Sequence, residues 1–241
     1  MRFLAHYSSS AGNLYEIVSS SAKRLLIDPG VTWKKFQKAL SYDLTGIEGC
    51  LCGHSHFDHS KSAEKVVEAE IDLFASKQTL DALDLTEHRR SHIIEGKRRF
   101  SIGNSFDCFP FSLQHDAEGA LGFVIKDKSS DEHLLYVNDT RSIKQRFGIA
   151  FSIISICCNY DKEILQAKVD SKDIDPTLAK RLLTSHMNAD TTKDYLQRFC
   201  NMSKCTEIHL LHTSRNNLDV EKVRAEFEKE FMTTTHIAGG R

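Results

Sequence analysis

The sequence predicts a mixed α/β protein, and three observations carry that expectation. Short runs rich in β-branched and aromatic residues are punctuated by turn residues, and segments with helical spacing lie between them. The length, 241 residues, suits one hydrophobic core, and no repeat or Gly/Ser-rich linker divides the chain. A single domain over residues 1–241 is therefore expected.

RFLAHY from Arg2, LYEIVS from Leu14 and RLLIDPG from Arg24 read as strands, the last closed by an Asp28-Pro29-Gly30 turn. TWKKFQKAL then takes helical spacing. IEGCLCG and IDLFAS are strand candidates on either side of the helical KSAEKVVEAE, and SKQTLDAL is a further helix. SFDCFPFSL, LGFVIKD and HLLYVND continue the strands. In the second half IAFSIISICC and TEIHLLH are apolar strands, while DKEILQAKV, TTKDYLQRFC and VEKVRAEFEKEF are helices.

Hydrophobic residues at 40% and charged residues at 27% exclude a disordered, collagen-like or coiled-coil chain. The net charge of -1 carries no signature of a nucleic-acid binder, so a local patch must decide that question. The densest basic segment holds Arg89, Arg90, Lys97, Arg98 and Arg99, which is either a solvated face or a contact for a phosphate backbone. Seven Cys without disulfide-scaffold spacing point to reduced thiols and a cytoplasmic protein. The N-terminal MRFLAHYSSSAGN has no leader pattern, and no apolar run approaches the ~18 residues of a membrane span.

Chemistry concentrates in GHSHFDHS, where His54, His56, Asp58 and His59 follow the apolar IEGCLC directly. A transition-metal ion needs several N and O donors converging on one point, and a loop fixed at the end of a buried strand supplies them at small entropic cost. His54 and His56 project alike from an extended loop; Asp58 and His59 lie past its turn and face a second point. Two adjacent ions follow, and other strand ends must complete their coordination. His115 after FPFSLQ, Asp139 at the end of HLLYVND and His212 at the end of TEIHLLH each end an apolar run with a donor. Asp139 is the candidate shared ligand, since its two oxygens can bridge two cations. Taken singly, a turn or cap role for Asp139 and a core role for His115 or His212 compete with ligation.

The HSHFDH loop, followed in order by His115, Asp139 and His212, resembles the metallo-β-lactamase superfamily. YSSSAGNLYEI, LLIDPG, HDAEGALGFVI, CCNYDKEIL, SHMNADT and LLHTSRNN further resemble its YycJ/WalJ-like exonuclease branch and phage or prophage relatives. The resemblance implies an αββα sandwich with His54, His56 and His115 on one metal, Asp58, His59 and His212 on the other, and Asp139 bridging. Zinc is the default cation, with Mn, Fe or Ni open to the same donors. Two residues depart from the branch pattern: Tyr160 stands where relatives often have His, and Arg141 where Gly is common.

The implied reaction is hydrolysis by a metal-activated water. Asp58 is the side chain that orients or deprotonates that water while remaining a ligand, and His186 the one that binds a phosphate oxygen or protonates the leaving group. Ser9, Ser10 and Asn13 in a small-residue loop, with Tyr160 and His186, are the candidate substrate contacts; a plain hairpin turn is the competing reading of the loop. A β-lactamase-type site has Cys in place of Asp139 and an oxygen-reducing diiron site has Glu in place of His56, so the resemblance points to phosphodiesters. Only 73 positions separate Asp139 from His212, which leaves no room for an inserted clamp domain.

A DNA exonuclease working 5′ to 3′ is the first expectation. A phage-type phosphodiesterase that opens cyclic nucleotides in the host cytoplasm is the alternative, and a non-catalytic metal-binding scaffold the third. No membrane partner is expected; a homodimer is left open by the sequence.

Overall fold

A computed structural model describes residues 1–239, with the strands in two sheets, one of six and one of seven, and helices alternating with strands along the chain. The chain divides into two compact units: Met1–Ser112 with Ala117–His133, and Leu113–Asp116 with the segment from Leu134 onward.

In the first unit β1 (Arg2–Tyr7), β2 (Leu14–Val18) and β3 (Arg24–Ile27) form an antiparallel meander. α1 (Trp33–Ala39) then returns the chain so that β4 (Ile47–Leu51) pairs parallel to β3. Parallel pairing requires such crossovers. α2 (Phe57–Ser60) and α3 (Ala63–Glu68) lead to β5 (Leu73–Ala75), and α4 (Lys77–Ala82) to β6 (Ser91–Ile93), both again parallel. Leu26, Phe36, Cys50, Val66, Leu73 and Leu80 form the buried cluster between this sheet and its helices. β7 (Phe100–Ile102), β8 (Phe106–Ser112) and β9 (Leu121–Asp127) follow as an antiparallel group.

The second unit is parallel throughout: β10 (His133–Val137), β11 (Ile153–Cys157), β12 (Glu207–Leu211) and β13 (Thr234–Ile237), paired in that order. α5 (Lys162–Asp170), α6 (Pro176–Ser185) and α7 (Ala189–Phe199) connect β11 to β12, and α8 (Val220–Phe231) connects β12 to β13. Side-chain caps from Asp161, Asp175, Asn188 and Asp219 satisfy the first N–H groups of these four helices. Because the strands run the same way, their C-terminal ends lie along one edge, and polar loops leaving that edge can face a common point.

The strands and helices anticipated from periodicity form within a few residues of the expected segments. α2, α6, β6, β7 and β13 were not anticipated. The strands among them are three or four residues long, too short for alternation to register, and α6 buries only Ala179, Leu182 and Ser185. Asp58 and His59, expected past the turn of an extended loop, lie within the helical turn α2, for which His56 is the N-cap residue. All seven cysteines are free thiols, six of them buried. Among the described residues no helix is long and apolar enough to cross a membrane.

Candidate metal centre

In the first unit, the donors of GHSHFDHS sit just past the end of β4. Ligand atoms of His54 and His56 lie within 4.8 Å of each other, as do those of Asp58 and His59. The His54 ring packs 4.0 Å from that of His59 and 4.8 Å from that of His56, centroid to centroid. Four donors thus crowd a single short segment.

Residues that sequence reasoning did not single out as functional hold this segment. His59 is fully buried, and its Nδ1 lies 2.7 Å from Asp28 Oδ2. A carboxylate on one imidazole nitrogen fixes the ring and raises the basicity of the other, the usual support for a metal-bound histidine. Asp28 Oδ1 also accepts from Gly53 N–H at 2.8 Å, so one carboxylate aligns both ends of the donor loop. The Cys52 thiol donates to the carbonyls of His54 and His59 at 3.3 and 3.7 Å. Burial pushes that thiol well above its ordinary range, which keeps it a donor.

Asn13 reaches the same loop from the Ser-rich turn after β1. Its Nδ2 donates to Asp58 O at 3.0 Å and lies 3.0 Å from His59 Nε2, while its Oδ1 accepts from Tyr15 O–H and Ser9 N–H. Asn13 is fully buried, and its amide braces the candidate ligands Asp58 and His59. Ser9 Oγ accepts from Ala11 N–H inside the turn, and Ser10 is exposed.

In the second unit, Asp139 follows β10 and His212 follows β12, so both stand at C-terminal strand ends. Asp139 Oδ1 lies 3.7 Å from His212 Nε2 and 3.4 Å from His186 Nδ1. His186 ends α6 as its C-cap residue, and its ring stacks on that of His212 at 4.9 Å. Asn159 Nδ2 contacts both His212 Nδ1, at 3.0 Å, and the His212 carbonyl, at 2.6 Å. His115 belongs to this unit, with its ring 6.3 Å from that of His186. Gln114 and Thr140 tie its segment beside Asp139 through reciprocal bonds of 3.1 Å. Cys157, at the end of β11, also places its sulfur within 4.8 Å of Asp139 and His186 ligand atoms. Burial, with the Asp139 charge as a lesser cause, raises that thiol to about 12, so it stays protonated.

Tyr160 is buried against Leu165, Ala179 and Leu182, and burial raises its phenol. It forms part of a small apolar cluster, with a backbone bridge to Asn188.

Asp28, Asp139 and His212 share one backbone feature: φ is +54°, +40° and +51° respectively. Left-handed conformations are uncommon outside glycine, although Asp and His tolerate them better than bulky residues do. Each such turn bends the chain sharply as it leaves a strand. Backbone strain of this kind collects at functional sites, where the surroundings hold it in place. The donor chemistry of both units, imidazole nitrogens with carboxylates and an ordered supporting shell, fits borderline divalent cations.

No curated protein matches the chain in sequence. Among solved structures, the metallo-β-lactamase fold protein YhfI from Bacillus subtilis matches with a TM-score of 0.72 and 15% identity, over 98% of this chain and 96% of that one. Zn(2+)-bound PqqB from Methylobacterium extorquens matches at 0.73 and 12%, over 99% and 98%. A diphosphatase of the PhnP family matches at 0.68 and 14%, over 98% and 93%. At these identities the likeness establishes the metallo-β-lactamase fold. The family model described as the beta-lactamase superfamily domain matches residues 23–209, a span that carries six of the seven anticipated ligands and runs through both units, and the chain belongs to that family.

Proposed function

We propose that the chain is a two-metal phosphodiesterase. His54, His56 and His115 would hold one cation, Asp58, His59 and His212 the other, and Asp139 both. The observation that carries this reading is the placement of the ordered donors at strand ends, with Asp28 fastened to His59 on the side away from Nε2. Bound divalent ions supply charge neutralisation for a phosphoryl oxygen and a water acidic enough to ionise near neutral pH. Asp58, only partly buried, would orient that water through a carboxylate oxygen. His186 turns Nδ1 toward Asp139, which leaves Nε2 as the atom to hold a proton for the leaving oxygen.

The branch resemblance makes trimming of DNA ends the first substrate reading. One observation favours the second, a cyclic nucleotide. Of the basic segment proposed to contact a strand, Arg89 is ion-paired with Glu70, and Arg90 with Glu70 and Asp72 at 2.9 and 3.1 Å. Those acids neutralise part of the surface that a polyanion would need, although exposed pairs exchange readily.

Incubating zinc- or manganese-loaded protein with end-labelled single- and double-stranded DNA, beside a panel of cyclic mono- and dinucleotides, tests the proposal. Metal-dependent cleavage in either arm is expected. Intact DNA with opened cyclic nucleotides would remove the exonuclease reading, and no turnover in any arm, with metal bound, would leave the scaffold.

A further inference from the structure

A second group of metal donors lies away from the family ligands, on the β12–β13 pair. Glu207 and His209 are two apart on β12 and so share a face, and His209 is paired directly with His236 on β13. The two rings stack at 4.6 Å with 21° between their planes. Both present Nε2 to the same carboxylate oxygen: His209 Nε2 is 3.0 Å and His236 Nε2 is 3.9 Å from Glu207 Oε2. All three ligand atoms lie within 4.8 Å of one another.

We propose that Glu207, His209 and His236 form a separate site for a late first-row divalent cation, zinc foremost, that fastens the terminal strand β13 to β12. Donors about 2.0–2.2 Å from a tetrahedral ion sit roughly 3.3 Å apart, so the present spacing needs only a small closing movement. His236 and Glu207 are 45% and 40% exposed at their side chains and can supply that movement, while His209, at 8%, is the fixed member. Two imidazoles and one carboxylate leave a fourth position for water, and the nitrogen content selects zinc, nickel or copper over magnesium and calcium.

The site does not borrow from the family ligands. His209 precedes His212 by three positions, about 10 Å of strand at roughly 3.3 Å per residue. Its function would be to hold an edge. β13 is four residues long and ends the sheet order, and a metal bridge to its neighbour compensates for the few backbone bonds such a strand makes.

Long-range ¹H–¹⁵N spectra of the full chain during zinc titration test the site. The Nε2 resonances of His209 and His236 should shift together and saturate, and equilibrium dialysis should show about one ion per chain fewer in His236→Ala and in Glu207→Gln than in the parent. Both variants should retain the hydrolytic activity of the parent. Resonances of His209 and His236 that stay in place at saturating zinc, or an ion count unchanged in both variants, would overturn the proposal. The spectra of the parent decide the matter even if a substitution prevents folding.

Discussion

Asp28 makes no direct claim on a substrate, yet its carboxylate holds His59 Nδ1 and Gly53 N–H, and its left-handed backbone starts the turn that follows β3. Asp28→Ala removes both acceptors while leaving every family ligand in place. The expected outcome is zinc binding weakened by about ten- to a hundred-fold in chelator competition. Asp139→Ala removes the proposed shared ligand and should abolish hydrolysis; full turnover by that variant would exclude a bridging role. The donors were legible because four of them occupy six positions after an apolar run. Their supports were not. Asp28 and Cys52 act through a bond to a residue distant in sequence or through a buried thiol, and nothing in local spacing distinguishes such an Asp or Cys from a turn or core residue; Asn13 stood out only as a substrate contact, whereas its amide bonds Asp58 and lies against His59.

At the scale of elements, the donor segment depends on the turn beneath it. Gly30 N–H donates to Asn13 O at 2.8 Å, Asn13 N–H donates to Asp58 O at 2.8 Å, and a Cβ on Gly30 would stand 1.7 Å from Asp58 O. Gly30→Ala must therefore push α2 aside. It should lower metal affinity without removing any donor, with the loss read by the same chelator competition and the fold checked by circular dichroism. α8 offers a simpler case. Asp219 accepts from Lys222 N–H at 3.0 Å, and Asp219→Ala should cost about 1 kcal/mol in denaturant unfolding. Helices with strong periodicity, such as α7 and α8, and strands that are continuous apolar runs, such as β9 and β11, are visible in the sequence. α2 is not, because four residues cannot display a helical period, and β6 and β13 owe their pairing to neighbouring strands rather than to their own composition.

For the molecule as a whole, stability should respond to pH through buried carboxylates as well as through the proposed metal ligands. Glu16 is buried in β2; desolvation alone would raise its carboxyl, but hydrogen bonds and charge from His6 and Arg24 outweigh it and hold the group below its ordinary 4.5. A depressed folded value stabilises the native state above about 4.5 and loses that contribution as pH falls through the folded value. Glu16→Gln should accordingly cost about 1–3 kcal/mol near neutral pH, with the gap to the parent narrowing in acid. Metal retention should weaken in the same direction, since ligating imidazoles must be neutral. The α/β class and the family were readable from the chain because strand runs and donors recur in order; the substrate was not, because charge partners such as Glu70 and Asp72 that decide whether a basic segment is available appear only after folding.

Turnover of bis(p-nitrophenyl) phosphate by chelated and reconstituted protein tests metal-dependent phosphodiester hydrolysis. Activity should vanish on chelation, return with zinc or manganese, and fail to return in Asp139→Ala. Turnover that persists in chelated protein, or that the Asp139 substitution leaves intact, would exclude metal-dependent hydrolysis at these residues.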